Sequence, residues 1–455
     1  MPRASGASSN TAFRWRRGRV ASPASDAGSS AFADDDNCVG YVRRGTLEQM
    51  DKSSERVIVI GAGPVGLCLS LALAQEGIPV CLIEALGSDN FLEQVPRAGT
   101  NHPATLELFE RIGLYDKLEP RGIIAPLLHY RERDGNTLIA EFDHGHLKND
   151  TRFPYVLQCE RIKIVEEALA LALAHPDIDL RLSTTFTGFS QNGDGVIAQI
   201  TNADGEAESI SGAYLVSGEG ARSIVRKDLG IEFEGFTYPD RTLNIEVAYD
   251  FRQHGYTERN YISDPDEWSN LFHWKGPPDR WRVHFPTAPD DDETALTRPS
   301  ALQARLQRFL PTGKDFDIVG SNLYIVHQRV AQKFRVGRAI LAGDSAHVNS
   351  PIGAMGMNSG IHDAFNLAEK LIGILRGETD DDVLERYERQ RRHVAVQHTQ
   401  AQTMRNKRLL AERDPAVRRK NHDELRRTAE DPKLARAFLL RSSLIESLRE
   451  AEQIA

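Results

Sequence analysis

The segment "RVIVIGAGPVGLCLSLALAQEGIPVCLIEA", Arg56 to Ala85, restricts the fold more than any other part of the chain. It opens on the apolar run Arg56–Ile60, which suits a strand buried on both faces of a parallel sheet. Gly61, Gly63 and Gly66 then spell G-x-G-x-x-G. Leu67, Leu71 and Ala74 predict an amphipathic helix that ends at Gly77. Val80–Ile83 reads as a second strand, and Glu84 follows it directly. In such a unit the first glycine allows the tight turn, the second admits a pyrophosphate, and the third lets helix and strand approach. The helix N-terminus offers free N–H groups to that pyrophosphate. Glu84, 23 positions after Gly61, suits the hydroxyls of a ribose. One glycine triplet is weak evidence, but strand, loop, helix, strand and acid in this order point to a bound dinucleotide. They do not choose between FAD and NAD.

The chain has 455 residues, enough for two or three domains with a substantial core. Its net charge of −9 gives no general attraction to nucleic acid or anionic membrane, and neither is expected as a partner. No apolar run reaches the roughly 18 residues of a membrane span. The four cysteines, Cys38, Cys68, Cys81 and Cys159, are scattered, without metal or redox spacing. They suit a reducing compartment, and the cytoplasm is the expected location. Residues 1–54 are expected to form a disordered extension. Their Ser, Ala, Gly and Arg content, with no acid before Asp26, matches either a transit segment, which would make the location organellar, or extra sequence ahead of a start at Met50.

Two more glycine motifs lie downstream. "AYLVSGEGARSIVRKDLGI", Ala213 to Ile231, reads as strand, turn and helix, with Glu219-Gly220 in the turn and Ser223, Arg226 and Asp228 on the helix. "GDSAHVNSPIGAMGMNSG", residues 343–360, follows a strand and leads into a helix near Asn358. Asp344 and His347 lack further ligands for a metal, and no metal site is expected there or elsewhere in the chain. The stretch also lacks the Gly-Lys-Ser/Thr ending of a phosphate loop. A third reading has Asp344 accepting hydrogen bonds from a sugar-like chain, with the helix N-terminus facing a ring that becomes an anion on reduction.

The order of these motifs, and above all Gly343, Asp344, Ala346, His347, Pro351, Gly353, Gly356, Asn358, Gly360, Asp363, Ala364, Asn366 and Leu367, resembles the FAD-dependent aromatic hydroxylases of the para-hydroxybenzoate hydroxylase type. The resemblance spans roughly residues 55 to 400. It implies an α/β protein, with a Rossmann-like FAD-binding domain, an interleaved β-sheet substrate domain and a helical C-terminal tail. It implies FAD as cofactor, NADH or NADPH as a transient electron donor, and O2 with a small aromatic or heteroaromatic compound as substrates. The ring, activated by a hydroxyl or amino group, would be attacked by a flavin hydroperoxide. Gly61, Gly63, Gly66 and Glu84 would hold the ADP half, and Asp344 the ribityl chain. Gly356, Met357 and Asn358 would present backbone to the pyrimidine edge. Pro351 would lie near the reactive face, with Arg97 of "PRAG" and Gln158 of a "Q-x-x-L-E-x-x-L"-like helix touching the cofactor. His347 is read as structural. The family's middle motif carries aspartate where this chain has Glu219, so Glu219 and Arg222 take a nicotinamide or pyrophosphate role only weakly.

The expected division assigns 55–125, 151–238 and 329–378 to the FAD domain, 126–150 and 239–328 to the substrate domain, and 379–455 to C-terminal helices. Tyr261, Trp268, Phe272, Trp274 and Trp281 would line a flat pocket from one sheet face. His273, Arg282, His284 and Tyr261 are its polar candidates; no catalytic base is assigned. Tyr387, Val394 and Met404 mark a buried stripe on a long helix, and the tail after it would pack on the FAD domain or join two copies, making a monomer or a homodimer. A flavin-dependent reductase, a ring-expanding oxygenase and a flavin-binding protein without turnover are the rival readings. The W-x-W-x-I-P stretch of flavin halogenases is missing.

Overall fold

The computed structural model describes residues 55–87 and 99–455. Arg97 and the expected N-terminal extension lie outside them. Val57–Ile60, four β-branched residues, is a fully buried strand at the centre of a six-stranded sheet. The strand order is Arg335–Val336, Ala339–Leu341, Tyr214–Ser217, Val57–Ile60, Val80–Ile83 and Ile178–Arg181. Only the edge pair Arg335–Val336 with Ala339–Leu341 is antiparallel. The three glycine motifs therefore leave adjacent parallel strands at the same end. In open α/β sheets that end is where ligands bind.

The helix Pro64–Ala74 packs against the helices Arg161–Ala174 and Gly356–Leu375. It is buried almost all round, rather than amphipathic as its leucine spacing suggested. A three-stranded antiparallel sheet, Thr185–Gln191, Val196–Thr201 and Ala207–Gly212, joins the same core through Phe186, Ala198 and Ile210.

The other half is built on an eight-stranded sheet. Its order is His347–Val348, Ile318–Ala331, Phe233–Val247, Arg280–Pro286, Ser269–Trp274, Arg259–Ser263, Leu127–Glu132 and Thr137–Asp143. Alternation along these strands separates two faces. Leu243, Ile245, Leu271, Val283, Phe285 and Trp281 pack on Leu302, Leu306 and Phe309 of the helix Pro299–Phe309. Trp281 thus points away from the aromatic face it was expected to share. Tyr130, Tyr261, Phe272 and Trp274 occupy the opposite face.

The C-terminal helix runs from Val383 to Leu410, with a π-helical stretch at Val394–Gln400. Tyr387 and Val394 are buried, while Met404 is half-buried. Three further helices follow, Pro415–Glu430, Pro432–Ser442 and Ile445–Glu452. Asp414 and Asp431 cap the first two by accepting backbone N–H bonds. The tail covers the eight-stranded sheet rather than the parallel one: Phe438 stacks on Phe142 at 4.0 Å, and Arg418 pairs with Glu132. No helix among the described residues is long and apolar enough to cross a membrane.

Candidate active site

Backbone geometry shapes the first loop. Gly61 has φ +95°, and a Cβ there would stand 2.7 Å from the Gly218 carbonyl oxygen. A Cβ on Gly66 would overlap the Gly61 carbonyl oxygen. Gly63 is different: nothing lies within 4 Å of its would-be Cβ. It sits at the N-cap of Pro64–Ala74 with no side-chain cap and no acid in the first turn. That leaves an open, positively polarised helix end, fit for a phosphate group. Glu84 closes the loop, its Oε2 accepting the Ala62 N–H at 2.9 Å and its Oε1 the Leu86 N–H at 2.9 Å. Its remaining lone pairs can still accept hydroxyl donors.

The middle motif is locked from within. Glu219 Oε2 accepts Ser217 Oγ at 2.8 Å and Ser223 Oγ at 2.7 Å, and the carboxylate also takes the N–H groups of Ile224 and Val225. Glu219 therefore caps the short helix Ile224–Asp228, whose N-cap is Ser223. The longer carboxylate folds back to reach these donors, and Arg222 stands exposed in the same turn. Arg226, not singled out for this role from sequence, ties this motif to the third: its Nη1 donates to the Ser345 carbonyl at 2.9 Å.

The third motif rests on a buried charge cluster. Asp363, on Gly356–Leu375, accepts the Gly343 N–H at 2.9 Å, His347 Nε2 at 2.7 Å and Arg391 Nε at 2.6 Å. Burial alone would raise its carboxyl, but His347 and the Arg391 guanidinium, with their hydrogen bonds, outweigh that and hold it at about 2. His347 has the structural role read from the sequence. Gly360 lets the helix meet the Gly343 turn, since a Cβ there would stand 3.0 Å from Gly343 Cα. Asp344 projects from this turn on the exposed side.

Pro351 to Met355 form the floor between the two halves. Asn358 anchors it: Nδ2 donates to the carbonyls of Thr100 and Ala354, and Oδ1 accepts the His102 N–H. Both amide hydrogens of Asn358 are thus used, which leaves its backbone, with that of Gly356 and Met357 beside it, as the donor for a ligand. The helix that starts at Gly356 has no acid in its first turn and no side-chain cap. Gln158 lies at the end of the strand Val156–Gln158, not at a helix start; the helix begins at Arg161. Pairing with Thr100 places it there, and its Oε1 accepts Thr100 Oγ1 at 2.7 Å. Its Nε2 is buried with no hydrogen-bond partner.

The sheet face opposite Pro351 carries a row of side chains set by strand register. Tyr130 pairs with Tyr261, Tyr261 with Asn270, Asn270 with His284, and His284 with Asn244. Pro351, Ile352, Asn270, Phe272 and His284 line one cleft. The buried atoms Asn270 Oδ1, His284 Nδ1 and Asn244 Oδ1 have no hydrogen-bond partner, and Tyr261 Oη lies by Arg259 and the Gly353 backbone without an aligned bond. Burial pushes His284 down to about 3, so the ring is neutral at ordinary pH. Arg259 shares this face; it is 2% exposed, and its Nε and Nη1 have no partner. Burial lowers it, while Tyr261 and Tyr130 counter that. Arg282 is spent on Glu246, with Nε to Oε1 at 2.8 Å. His273 stacks on Trp281 on the far face, outside the cleft.

A parallel sheet with three converging glycine motifs, beside a polar cleft on a second sheet, is the architecture of a dinucleotide-dependent enzyme. A model of the FAD-binding domain matches residues 54–402. The chain belongs to the FAD-dependent aromatic hydroxylases. It is 31% identical over 400 residues to a para-nitrophenol 4-monooxygenase of Pseudomonas sp. strain WBC-3, covering 87% of this chain and 97% of that one. It is 27% identical to a 6-hydroxy-3-succinoylpyridine 3-monooxygenase of Pseudomonas putida strain S16, covering 79% and 90%. The crystal structure of a p-nitrophenol 4-monooxygenase from Pseudomonas putida DLL-E4 superposes with a TM-score of 0.81 at 32% identity, covering 87% of this chain and 98% of that one. The protein is thus an FAD-dependent aromatic monooxygenase that takes its electrons from NAD(P)H.

Proposed function

We propose that the substrate is a single-ring phenol, para-nitrophenol being the first candidate, and that it reacts as its phenolate. The observation that carries this is the row Asn270, His284 and Asn244, each with a buried polar atom lacking a partner, beside Tyr261 and the buried Arg259, whose Nε and Nη1 lack partners too. Buried polar atoms are rarely left without partners, so such a cluster implies a polar ligand. An unneutralised buried guanidinium implies that this ligand is an anion. The relatives that oxygenate para-nitrophenol and a hydroxypyridine support a one-ring substrate.

FAD fits the described residues. Gly63 leaves room for a pyrophosphate, Gln158 Nε2 lacks an acceptor, and the helices Pro64–Ala74 and Gly356–Leu375 have N-termini without a side-chain cap. In this reading Gly61, Gly63, Gly66 and Glu84 hold the ADP half, Asp344 the ribityl chain, and the backbone of Gly356, Met357 and Asn358 the pyrimidine edge. Arg97, outside the described residues, is assigned to the same cofactor. Glu219 acts by holding its turn, and Arg222 offers the free charge for a passing nicotinamide phosphate. Bound FAD, reduced by NAD(P)H, supplies the oxygen-transfer chemistry.

The chain's own residues prepare the ring. Tyr261 Oη accepts the phenol proton's hydrogen bond or donates to the phenolate, and neutral His284 provides a second partner. Arg259 favours the phenolate by its charge and so raises electron density on the ring carbons. Pro351 and Phe272 confine the ring in the cleft, where shielding from water strengthens these interactions. The test is a panel of phenols, hydroxypyridines and aromatic acids with the FAD-loaded protein. A phenol is expected to stimulate NAD(P)H oxidation and O2 uptake and yield an oxygenated product. Tyr261→Phe is expected to lower kcat/KM by about 100-fold. Stimulation by aromatic acids only, or a Tyr261→Phe variant with unchanged pH profile and kcat/KM, would refute the proposal.

A further inference from the structure

The long C-terminal helix changes pitch between Val394 and Gln400, where it is π-helical. In an α-helix, side chains five positions apart diverge by roughly 140°. A π-turn closes i→i+5 hydrogen bonds and brings such residues onto one face. His393 and His398 are brought together in this way, their ring centroids 5.8 Å apart. Glu450, on the helix Ile445–Glu452, faces both. Its Oε1 lies 2.7 Å from His393 Nε2, and its Oε2 lies 3.0 Å from His398 Nε2. One ligand atom from each residue lies within 4.8 Å of the other two. His398 Nε2 is buried against the carboxylate but lies off the line of a hydrogen bond.

We propose that His393, His398 and Glu450 bind a divalent cation of the zinc class. Two imidazoles and a carboxylate are a donor set suited to borderline ions. Zinc lies about 2.0–2.2 Å from such ligands, which sets donor atoms about 3.3 Å apart around a tetrahedral ion. Each oxygen of Glu450 faces one histidine, at 2.7 and 3.0 Å, and one donor atom from each residue lies within 4.8 Å of the others, so half-exposed side chains close the set by shifts of about an ångström. Any proton shared between His393 Nε2 and Glu450 passes to solvent on binding. Three protein ligands leave a fourth position for water. The ion would pin the last helix to the π-turn. Gln397 and His398 border the same cavity as Met355, so the clamp stands behind the floor of the cleft.

The test uses the tag-free, FAD-loaded full-length chain. Calorimetric titration with Zn2+ is expected to show one site per chain with micromolar or tighter affinity. Co2+ is expected to give the visible absorption of a four- or five-coordinate ion. His398→Ala and Glu450→Gln should each weaken zinc binding by about tenfold or more. Zinc should raise the thermal midpoint of the parent and of neither variant. The proposal is overturned if no saturable binding occurs below about 100 μM, or if binding survives both substitutions. It is overturned equally if Glu450→Gln lowers the midpoint by the same amount with and without zinc, which would mark a plain ion pair.

Discussion

Replacing Asp363 by asparagine removes the negative charge that faces the Arg391 guanidinium and the His347 ring, while keeping the side chain's shape. The parent carboxyl is held at about 2 against an ordinary 3.8. At about 1.36 kcal/mol per unit, that difference amounts to about 2.5 kcal/mol. Leaving one member of a buried ion pair without its partner costs roughly 3–5 kcal/mol by a separate route. The two figures agree on a loss of about 3 kcal/mol. Because the folded carboxyl is depressed, its contribution is complete above the unfolded value near 3.8 and is lost as pH falls towards 2. Urea unfolding of both proteins should therefore show the full gap at pH 7 and a closing gap below pH about 4. The Gly343 turn loses its acceptor as well, so FAD affinity should fall with stability. A gap under about 1 kcal/mol at pH 7 would refute the reasoning. So would a gap that stays constant as pH drops, because no depressed carboxylate would then be linking the helix to the turn.

Three further outcomes are expected. Gly63→Ala should weaken FAD binding and leave ligand-free stability unchanged, whereas Gly66→Ala should destabilise the fold itself; fluorescence titration and urea melts separate the two. Arg259→Met should leave ligand-free stability equal or higher, since it removes an unpaired buried charge, yet raise the KM for a phenolate by about tenfold or more. Cys68, Cys81 and Cys159, buried with thiols pushed up to about 12, should escape iodoacetamide in the folded protein at pH 8, as peptide mass mapping would show.

What was legible in the sequence follows from how far each signal reaches along the chain. Gly61, Gly63, Gly66 and Glu84 sit within one strand–helix–strand unit, so their spacing carries their geometry: Glu84 does return to the Ala62 N–H. The long third motif was equally legible, because Gly343, Asp363 and the helix between them are near neighbours in sequence. Gln158 was misplaced onto a helix because its position depends on pairing with Thr100, 58 residues away. Trp281 was assigned to the wrong face because strand alternation has a period of two, and an error of one residue inverts the assignment. Arg259 carried no sequence signal at all: only its burial with Nε and Nη1 unmet distinguishes it from any other arginine.

The sequence by itself determined the dinucleotide loop, the family and the turn that carries Asp344, since each is encoded in local backbone requirements. Only the tertiary structure decided which side chains meet across the cleft. Tyr261, Asn270, His284 and Asn244 form a row through the register of four strands. His393, His398 and Glu450 converge because one helix changes pitch and another returns 52 residues later, from His398 to Glu450, to face it. Register and pitch are products of packing over the whole molecule, and no short stretch of residues states them.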